Sequence, residues 1–440
     1  MLSLFDSHLT NMLQRTRRIL EQFEFDSLLV YSGHTENHFL DDYAPAFKAN
    51  PHFVQWMPFL TDHPKSWVLI TNEGKPKLFI YSPDDFWHVT PSQPDAFWCE
   101  HYDITLFADA NVLISQLPSM GRTALVSGNH LDALPPNVSV NAADLLAAIH
   151  HDRATKSEFE QGCIREANRV AALGHQAAQL GFSQGLSEFE IHQMYLGATQ
   201  QLETALPYNN IIGLNEHAAV LHYQHKETAL PGNHRSMLVD AGATHWGYVA
   251  DITRTTSQGD QAFAALIEEL DRAQLEIVAS AKVGTSFVAL HEQMHAKLFD
   301  ILLLSGVITT ELQNDAERLA LTRTFFPHGL GHLLGIQVHD IGGWQHDASG
   351  AIVEPPEAHP FLRLTRTLEE GMVVTIEPGL YFIPSLLAQL KETALHQHVN
   401  WSLVEHLLPW GGIRIEDNIC VKANGAENYT RDAFAASALR

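Results

Sequence analysis

The spacing of apolar and polar positions changes period several times along the chain, and each change predicts an element. Residues 7–24 carry Leu9, Met12, Leu13, Ile19, Leu20 and Phe23 near helical spacing, behind Asp6 or Ser7 as N-cap. Short β-forming runs follow at Ser27–Ser32, Trp67–Thr71, Lys77–Ser82 and Ala124–Gly128. The middle two are separated by Asn72-Glu-Gly-Lys-Pro76, the turn-forming connection of a hairpin. An aromatic, proline-containing loop spans Phe39–Phe47, and its Asp41 and Asp42 read as solvated turn residues. These elements predict a small α/β domain with no catalytic constellation of its own.

A boundary is expected at residues 150–156. Beyond it, Ser157-Glu-Phe-Glu160 and Ser187-Glu-Phe-Glu190 are capping boxes that each open a helix. Strand patterns follow at Ser236–Asp240 and Gly247–Thr253, then helices at about 261–281 and 286–304, then strands at Val373–Glu377 and Ile413–Val421. Two helices followed by strands, twice over, predict two related halves around a shared sheet.

A length of 440 residues exceeds one ordinary core and predicts two domains, 1–155 and 156–440, in an α/β (α+β) fold class. Lys+Arg 27 against Asp+Glu 51 gives a formal charge of -24, which argues against nucleic acid and acidic lipid as partners. Cys99, Cys163 and Cys420 form no CxxC or zinc-ribbon pattern and read as reduced thiols. The N-terminus lacks the basic and apolar regions of a signal peptide, and no run approaches the ~20 apolar residues of a membrane span. A soluble, cytoplasmic protein is expected.

The chemistry concentrates in the second part. Phe326–Asp340 packs His328, His332 and His339 among glycines and apolar residues. Imidazole binds divalent metal or relays protons near neutral pH, so this stretch reads either as a site or as structural histidines. The His328–His332 spacing imitates a helical HExxH motif, but the interior Gly-Leu-Gly lacks its Glu and disfavours a helix, so a bent strand or loop fits better.

Four carboxylates weigh on that choice. Leu238–Arg254 reads as a hairpin turning near His245 and Trp246, which would set Asp240 directly opposite Asp251 on one face. Such a pair repels unless it is solvent-exposed, paired with Arg254 or neutralised by a cation. Glu377 ends a strongly β-forming run and Glu416 lies inside an apolar strand, where it could alternatively pair with Arg414. Four buried-looking carboxylates with histidine call for cations, more than one metal takes alongside water, so two metals are expected. Oxygen-rich ligation with one imidazole suits Mn²⁺, with Co²⁺ or Zn²⁺ as substitutes. Two metals holding a bridging hydroxide perform hydrolysis. No nucleophile elbow, Walker loop or catalytic-cysteine signature competes.

The order Asp240, Asp251, the His328–Asp340 run, Glu377 and Glu416 resembles the pita-bread metallopeptidases, and among them the bacterial-type Xaa-Pro dipeptidases (prolidases), close to organophosphorus acid anhydrolases. The resemblance extends from the Asp41-Asp42 loop through Asn215–Tyr223 to Gly411–Asp417. It implies a small creatinase-like N-terminal domain and a C-terminal pita-bread domain. It implies that Asp240, Asp251, His332, Glu377 and Glu416 bind the metals, with Asp251 and Glu416 bridging, and that Glu377 also handles the proton of the attacking water. It gives His222 and His339 the developing oxyanion and the substrate termini, and Arg363 and Arg414 the substrate carboxylate or the metal ligands. Tyr208 and Val338 match positions near the substrate pocket, and His328 supports the site from behind.

The implied substrates are Xaa-Pro dipeptides, with phosphotriesters as possible additional ones, and the implied assembly is a homodimer. There the N-terminal domain would serve dimerisation, and Asp41–Tyr43 would close a partner's site. The alternatives are an aminopeptidase P-type enzyme acting on longer peptides and a non-catalytic pita-bread binding protein. The latter is disfavoured by the filled ligand positions.

Overall fold

A computed structural model describes residues 2–109, 120–131, 134 and 137–437. The chain divides into two compact units, one of Met1–Arg153 with Ser157–Gly162 and Asp347–Ala351, the other of Ala154–Lys156, Cys163–His346 and Ile352–Arg440.

The first unit is built on a six-stranded mixed sheet of β1 (Ser27–Tyr31), β2 (Trp67–Thr71), β3 (Lys77–Tyr81), β4 (Asp103–Phe107), β5 (Thr123–Val126) and β6 (Val138–Val140), in the order β4-β3-β2-β1-β5-β6. The expected β2–β3 hairpin forms, with Gly74 at φ 77° in its turn. β1 and β5 pair in parallel and are buried along their whole length, which is why they read as continuous apolar runs. The edge strand β4 and the short β6 carry no such run and escape a reading of the pattern. The first helix starts at Phe5, after a 3₁₀ turn, and no side chain caps it, so neither Asp6 nor Ser7 has the expected role. Asp41 Oδ1 accepts from the backbone N–H groups of Asp42 and Tyr43, which makes Asp41 a turn residue as read.

The described residues of the second unit form two three-stranded antiparallel sheets and two two-stranded ladders. One sheet contains β7 (Ile211–Leu214), β8 (Ser236–Asp240) and β11 (Thr253–Ser257), and a hairpin of β9 (Thr244–His245) and β10 (Tyr248–Val249) interrupts it. The other contains β12 (Val373–Ile376), β15 (Asp417–Lys422) and β16 (Gly425–Asn428), and β13 (Gly379–Tyr381) pairs with β14 (Gly412–Arg414). An antiparallel bridge from Thr253 to Glu416 joins the two.

Helices Glu158–Ser183 and Glu188–Thr199 precede the first sheet, and both predicted capping boxes are present. Helices Gln261–Ser280, Phe287–Leu304 and Asp315–Phe325 precede the second. The alternation of strand side chains determines what faces them. Met237 and Val239 pack on Phe182, Ile191 and Tyr195, while Val374, Ile376, Ile413, Ile415, Ile419 and Val421 join the core of the later helices. The intervening residues, Asp240, Thr375, Arg414, Glu416 and Asn418, therefore leave the sheets on the opposite side. Among the described residues no helix is long and apolar enough to cross a membrane.

Candidate metal centre

Asp240 and Asp251 are neighbours, but in a different register from the expected one. The turn falls on Trp246-Gly247, both in the left-handed region at φ 47° and 76°, so His245 pairs with Tyr248 and Asp240 pairs with Thr253. Asp251 is thus two residues away from the position opposite Asp240. A shift of two preserves the face, so the carboxylates are diagonal and not directly opposed. The predicted Gly247–Thr253 strand is broken at Ala250–Ile252, and the Asn418 side chain takes over the backbone of Asp251. Asn418 Oδ1 accepts from the Asp251 N–H at 3.0 Å, and its amide donates to the Asp251 carbonyl. The Ile413–Val421 run is broken as well, with Glu416 at the break, its N–H bonded to Thr253 O at 3.0 Å.

The histidine stretch runs as an extended loop alongside β12. Glu377 N–H donates to Leu330 O, Thr375 N–H to His332 O and Leu334 N–H to Val373 O, at 2.8–2.9 Å. This pairing brings His332 beside Glu377. It also requires Gly331, because a Cβ there would lie 2.1 Å from the Thr375 carbonyl oxygen. Beyond Leu334 the chain loops out and returns, with Asp340 N–H bonded to Leu333 O and the Asp340 carboxylate in a buried pair with Lys156 at 2.9 Å. Val338 and His339 ride on that loop, and the His339 ring meets the His332 ring edge-on with centroids 4.5 Å apart.

The buried contacts form one network. Tyr208 hydroxyl lies 2.8 Å from Asp240 Oδ1 and 2.5 Å from Asp251 Oδ1. Arg414 donates to Asp240 Oδ2 at 2.6 Å and to Tyr381 hydroxyl at 2.9 Å. Because Arg414 only donates, the Tyr381 hydroxyl donates its own hydrogen bond to His328 Nε2 at 2.8 Å, and His328 Nδ1–H donates to Gly329 O. Thr253 hydroxyl donates to Glu416 Oε2 at 2.7 Å and accepts from Arg414 Nε at 3.3 Å. His332 Nδ1 is held by Leu333 O, so its Nε2 faces Asp251 Oδ2 at 3.5 Å and Glu377 Oε1 at 3.6 Å.

Charge does not balance here. Burial, with Asp251, Glu377 and Asp240 nearby, pushes the Glu416 carboxyl well above its usual range. Burial likewise raises Asp240 against the pull of Arg414, and raises Glu377 to about 7 against the pull of His332. Asp251 is lowered, because His332 and Tyr208 together outweigh its burial. His332 is raised in turn, since Asp251 and Glu377 outweigh the burial of its ring. Loss of hydration, reinforced by His332 and Arg363, holds His339 down at about 4.

Four carboxylates, Asp251 and Glu416 buried and Asp240 and Glu377 partly so, thus share one guanidinium and one imidazole, a deficit that favours cations. The donor atoms fit them. Asp251, His332 and Glu416 each offer an atom within 4.8 Å of the others. Glu416 Oε1 is buried with no hydrogen-bond partner among the described residues. The anchored Nδ1 of His332 leaves Nε2 as the nitrogen that could ligate a cation.

Of the other predicted residues, His222 and Arg363 are exposed. The charge of His222 acts on His328 and His339, and that of Arg363 on His339. Val338 is half-buried. Thr253, Thr375, Tyr381 and Asn418 also belong to the site, and their one signal in the sequence is parity, since each is a polar residue on the acid-bearing side of an apolar strand or next to it.

Residues 3–151 match the family described as the N-terminal domain of Xaa-Pro dipeptidase, and residues 162–423 match metallopeptidase family M24. The chain belongs to metallopeptidase family M24. Among curated relatives of this M24 chain, the Xaa-Pro dipeptidase of Shewanella woodyi is 44% identical over 430 residues, covering 97% of this chain and 98% of that protein. The Xaa-Pro dipeptidase of Pseudoalteromonas haloplanktis is 45% identical over 435 residues, covering 98% of each. Among solved structures, zinc-substituted aminopeptidase P from Escherichia coli in complex with product superposes with a TM-score of 0.71 at 22% identity, covering 97% of this chain and 98% of that one. Proline aminopeptidase P II from Yersinia pestis gives 0.70 at 22% identity, covering 97% and 99%. These two likenesses establish the two-part α/β architecture with its M24 pita-bread domain.

Proposed function

We propose that this M24 chain is a dinuclear metallodipeptidase that cleaves Xaa-Pro dipeptides. The observation that carries this reading is the excess of buried carboxylate around His332, including the unpartnered Glu416 Oε1. The names of relatives about 44% identical over nearly the whole chain supply the substrate class. Asp240, Asp251, His332, Glu377 and Glu416 would hold two divalent cations, with Mn²⁺ favoured by the mainly carboxylate donors. Such cations supply an activated water at neutral pH and polarise the scissile carbonyl.

The chain's own residues do the rest. Glu377, beside His332, is placed to take a proton from water and return it to the leaving proline nitrogen. His339, and His222 near it, provide donors for the developing oxyanion. Arg414 is occupied by Asp240 and Tyr381, which makes it a positioning residue. That leaves Arg363 as the cation for the dipeptide carboxylate.

The first unit exposes Phe39 (91%), Leu40 (91%), Phe86 (86%) and Trp87 (79%), large apolar groups that support a homodimer whose Asp41–Tyr43 loop closes the partner's site. The thiols of Cys99 and Cys420 support a cytoplasmic location.

The test is a Mn²⁺ assay on Ala-Pro, Gly-Pro, a proline tripeptide and a phosphotriester, with and without chelator. The dipeptides are cleaved fastest, the phosphotriester is turned over as a side reaction, and chelation abolishes turnover until Mn²⁺ is restored. Preference for the tripeptide would reassign the chain to aminopeptidase P-type chemistry, and metal-independent turnover would defeat the mechanism.

A further inference from the structure

A second histidine cluster lies on the helix side of the same unit. The helix Phe287–Leu304 contains His291-Glu-Gln-Met-His295, whose spacing puts two imidazoles one turn apart on one helix face. His359 joins them from a turn closed by its N–H to Pro356 O at 2.7 Å. All three are buried, at 1%, 4% and 6% exposure. One ring nitrogen from each lies within 4.8 Å of the others.

His291 Nε2 and His359 Nδ1 are 2.9 Å apart, and His295 Nδ1 is anchored on Thr322 hydroxyl at 2.9 Å, which leaves Nε2 as its other nitrogen. His291 Nδ1 is buried and has no hydrogen-bond partner among the described residues, so protein groups do not satisfy the cluster.

We propose that His291, His295 and His359 form a further cation site for Zn²⁺-class ions, separate from the carboxylate centre. Zn–N bonds of about 2.0–2.1 Å separate tetrahedral ligands by about 3.4 Å, so small ring movements suffice. Three imidazoles without a buried carboxylate select Zn²⁺, Co²⁺, Ni²⁺ or Cu²⁺ over Mn²⁺ or Mg²⁺, the reverse of the oxygen-rich centre. The rings line a small cleft of about 20 Å³ with Arg323, Phe326 and His328, room for about one water as a fourth ligand. Arg323 opposes the added charge, and Glu292 offsets it at His359.

The bound ion would pin the segment of His359 to the helix. That segment continues to Leu362, whose backbone would lie 3.0 Å from a Cβ at Gly329, and then to Arg363. The site therefore steadies both the substrate-side arginine and the backing of His328.

The experiment uses full-length protein loaded with Mn²⁺ and then Zn²⁺. Anomalous diffraction at the zinc edge is expected to give a peak among the three rings. Elemental analysis is expected to find one zinc equivalent per chain fewer in His359→Asn than in wild type. Asp251→Asn is expected to lose metal from the carboxylate centre while keeping that equivalent, so the two sites fail independently. Zinc confined to the carboxylates in the wild-type map, or equal stoichiometry in wild type and folded His359→Asn, would overturn the proposal. If His359→Asn does not fold, the wild-type map alone decides.

Discussion

Asp251 combines a fixed backbone with a buried carboxylate shared between Tyr208 and His332. Asn418 holds both its N–H and its carbonyl, so the side chain is aimed before any cation arrives. Asp251→Asn keeps size and backbone contacts but removes one negative charge from the set around His332. Activity should fall by orders of magnitude with unchanged folding, and elemental analysis should show reduced metal; near-normal turnover would remove Asp251 from the ligand set. Thr253 works one step back, since its hydroxyl ties Glu416 to Arg414 and so to Asp240. Thr253→Ala is expected to weaken metal affinity or activity by about 10–100-fold, as removal of such supporting groups does. Thr253→Ser, which keeps the hydroxyl, should restore most of it. Titration of metal against activity for the two variants checks this, and equal loss in both would show that the methyl group matters and the hydroxyl does not.

At the level of elements, the positions and types of β1, β2, β3, β5, β8 and β12 were legible because buried strands leave continuous apolar runs. The acid-bearing strands were legible for a second reason: an acid inside such a run has to find a partner. Breaks and registers were not legible. Asp251 and Glu416 sit where ladders are interrupted, and the interruptions depend on contacts with Asn418 and Thr253 from distant parts of the chain. The HEQMH spacing on the helix is open to view in the sequence, but its third member, His359, is 64 residues further along and only the fold brings it there.

Those glycines now have a specific use at one position. At Gly331 a methyl group would collide with the Thr375 carbonyl, a backbone atom that cannot rotate away. Gly331→Ala must push the histidine loop off β12 and separate His332 from Glu377. A destabilisation of about 1–3 kcal/mol is expected for such overpacking, together with a loss of activity larger than the change in melting temperature explains. Calorimetry and turnover measured on the same preparation test it, and a fully active, equally stable variant would show that the loop has slack.

Across the whole molecule, several histidines are buried in neutral form, and this determines how stability responds to acid. His175 is 4% exposed, with Nε2 2.9 Å from Ala241 O, and burial lowers it from 6.5 to about 4. His291, His295 and His328 are lowered further, to about 2, 3 and 3, mainly by the same loss of hydration. Between pH 6.5 and 4 the unfolded chain takes up protons at these rings while the folded chain does not. Stability therefore rises with pH across that window and is lost as pH falls through it, the direction expected when the folded value is depressed. For His175 alone the difference of about 2.5 units, at about 1.4 kcal/mol each, bounds the loss at about 3 kcal/mol. Urea unfolding at pH 7.5, 6, 5 and 4, at fixed metal concentration, should show a steep decline for wild type and a shallower one for His175→Gln, which cannot take up a proton. Parallel curves would mean that the His175 ring is solvated in solution and that the acid sensitivity comes from other groups.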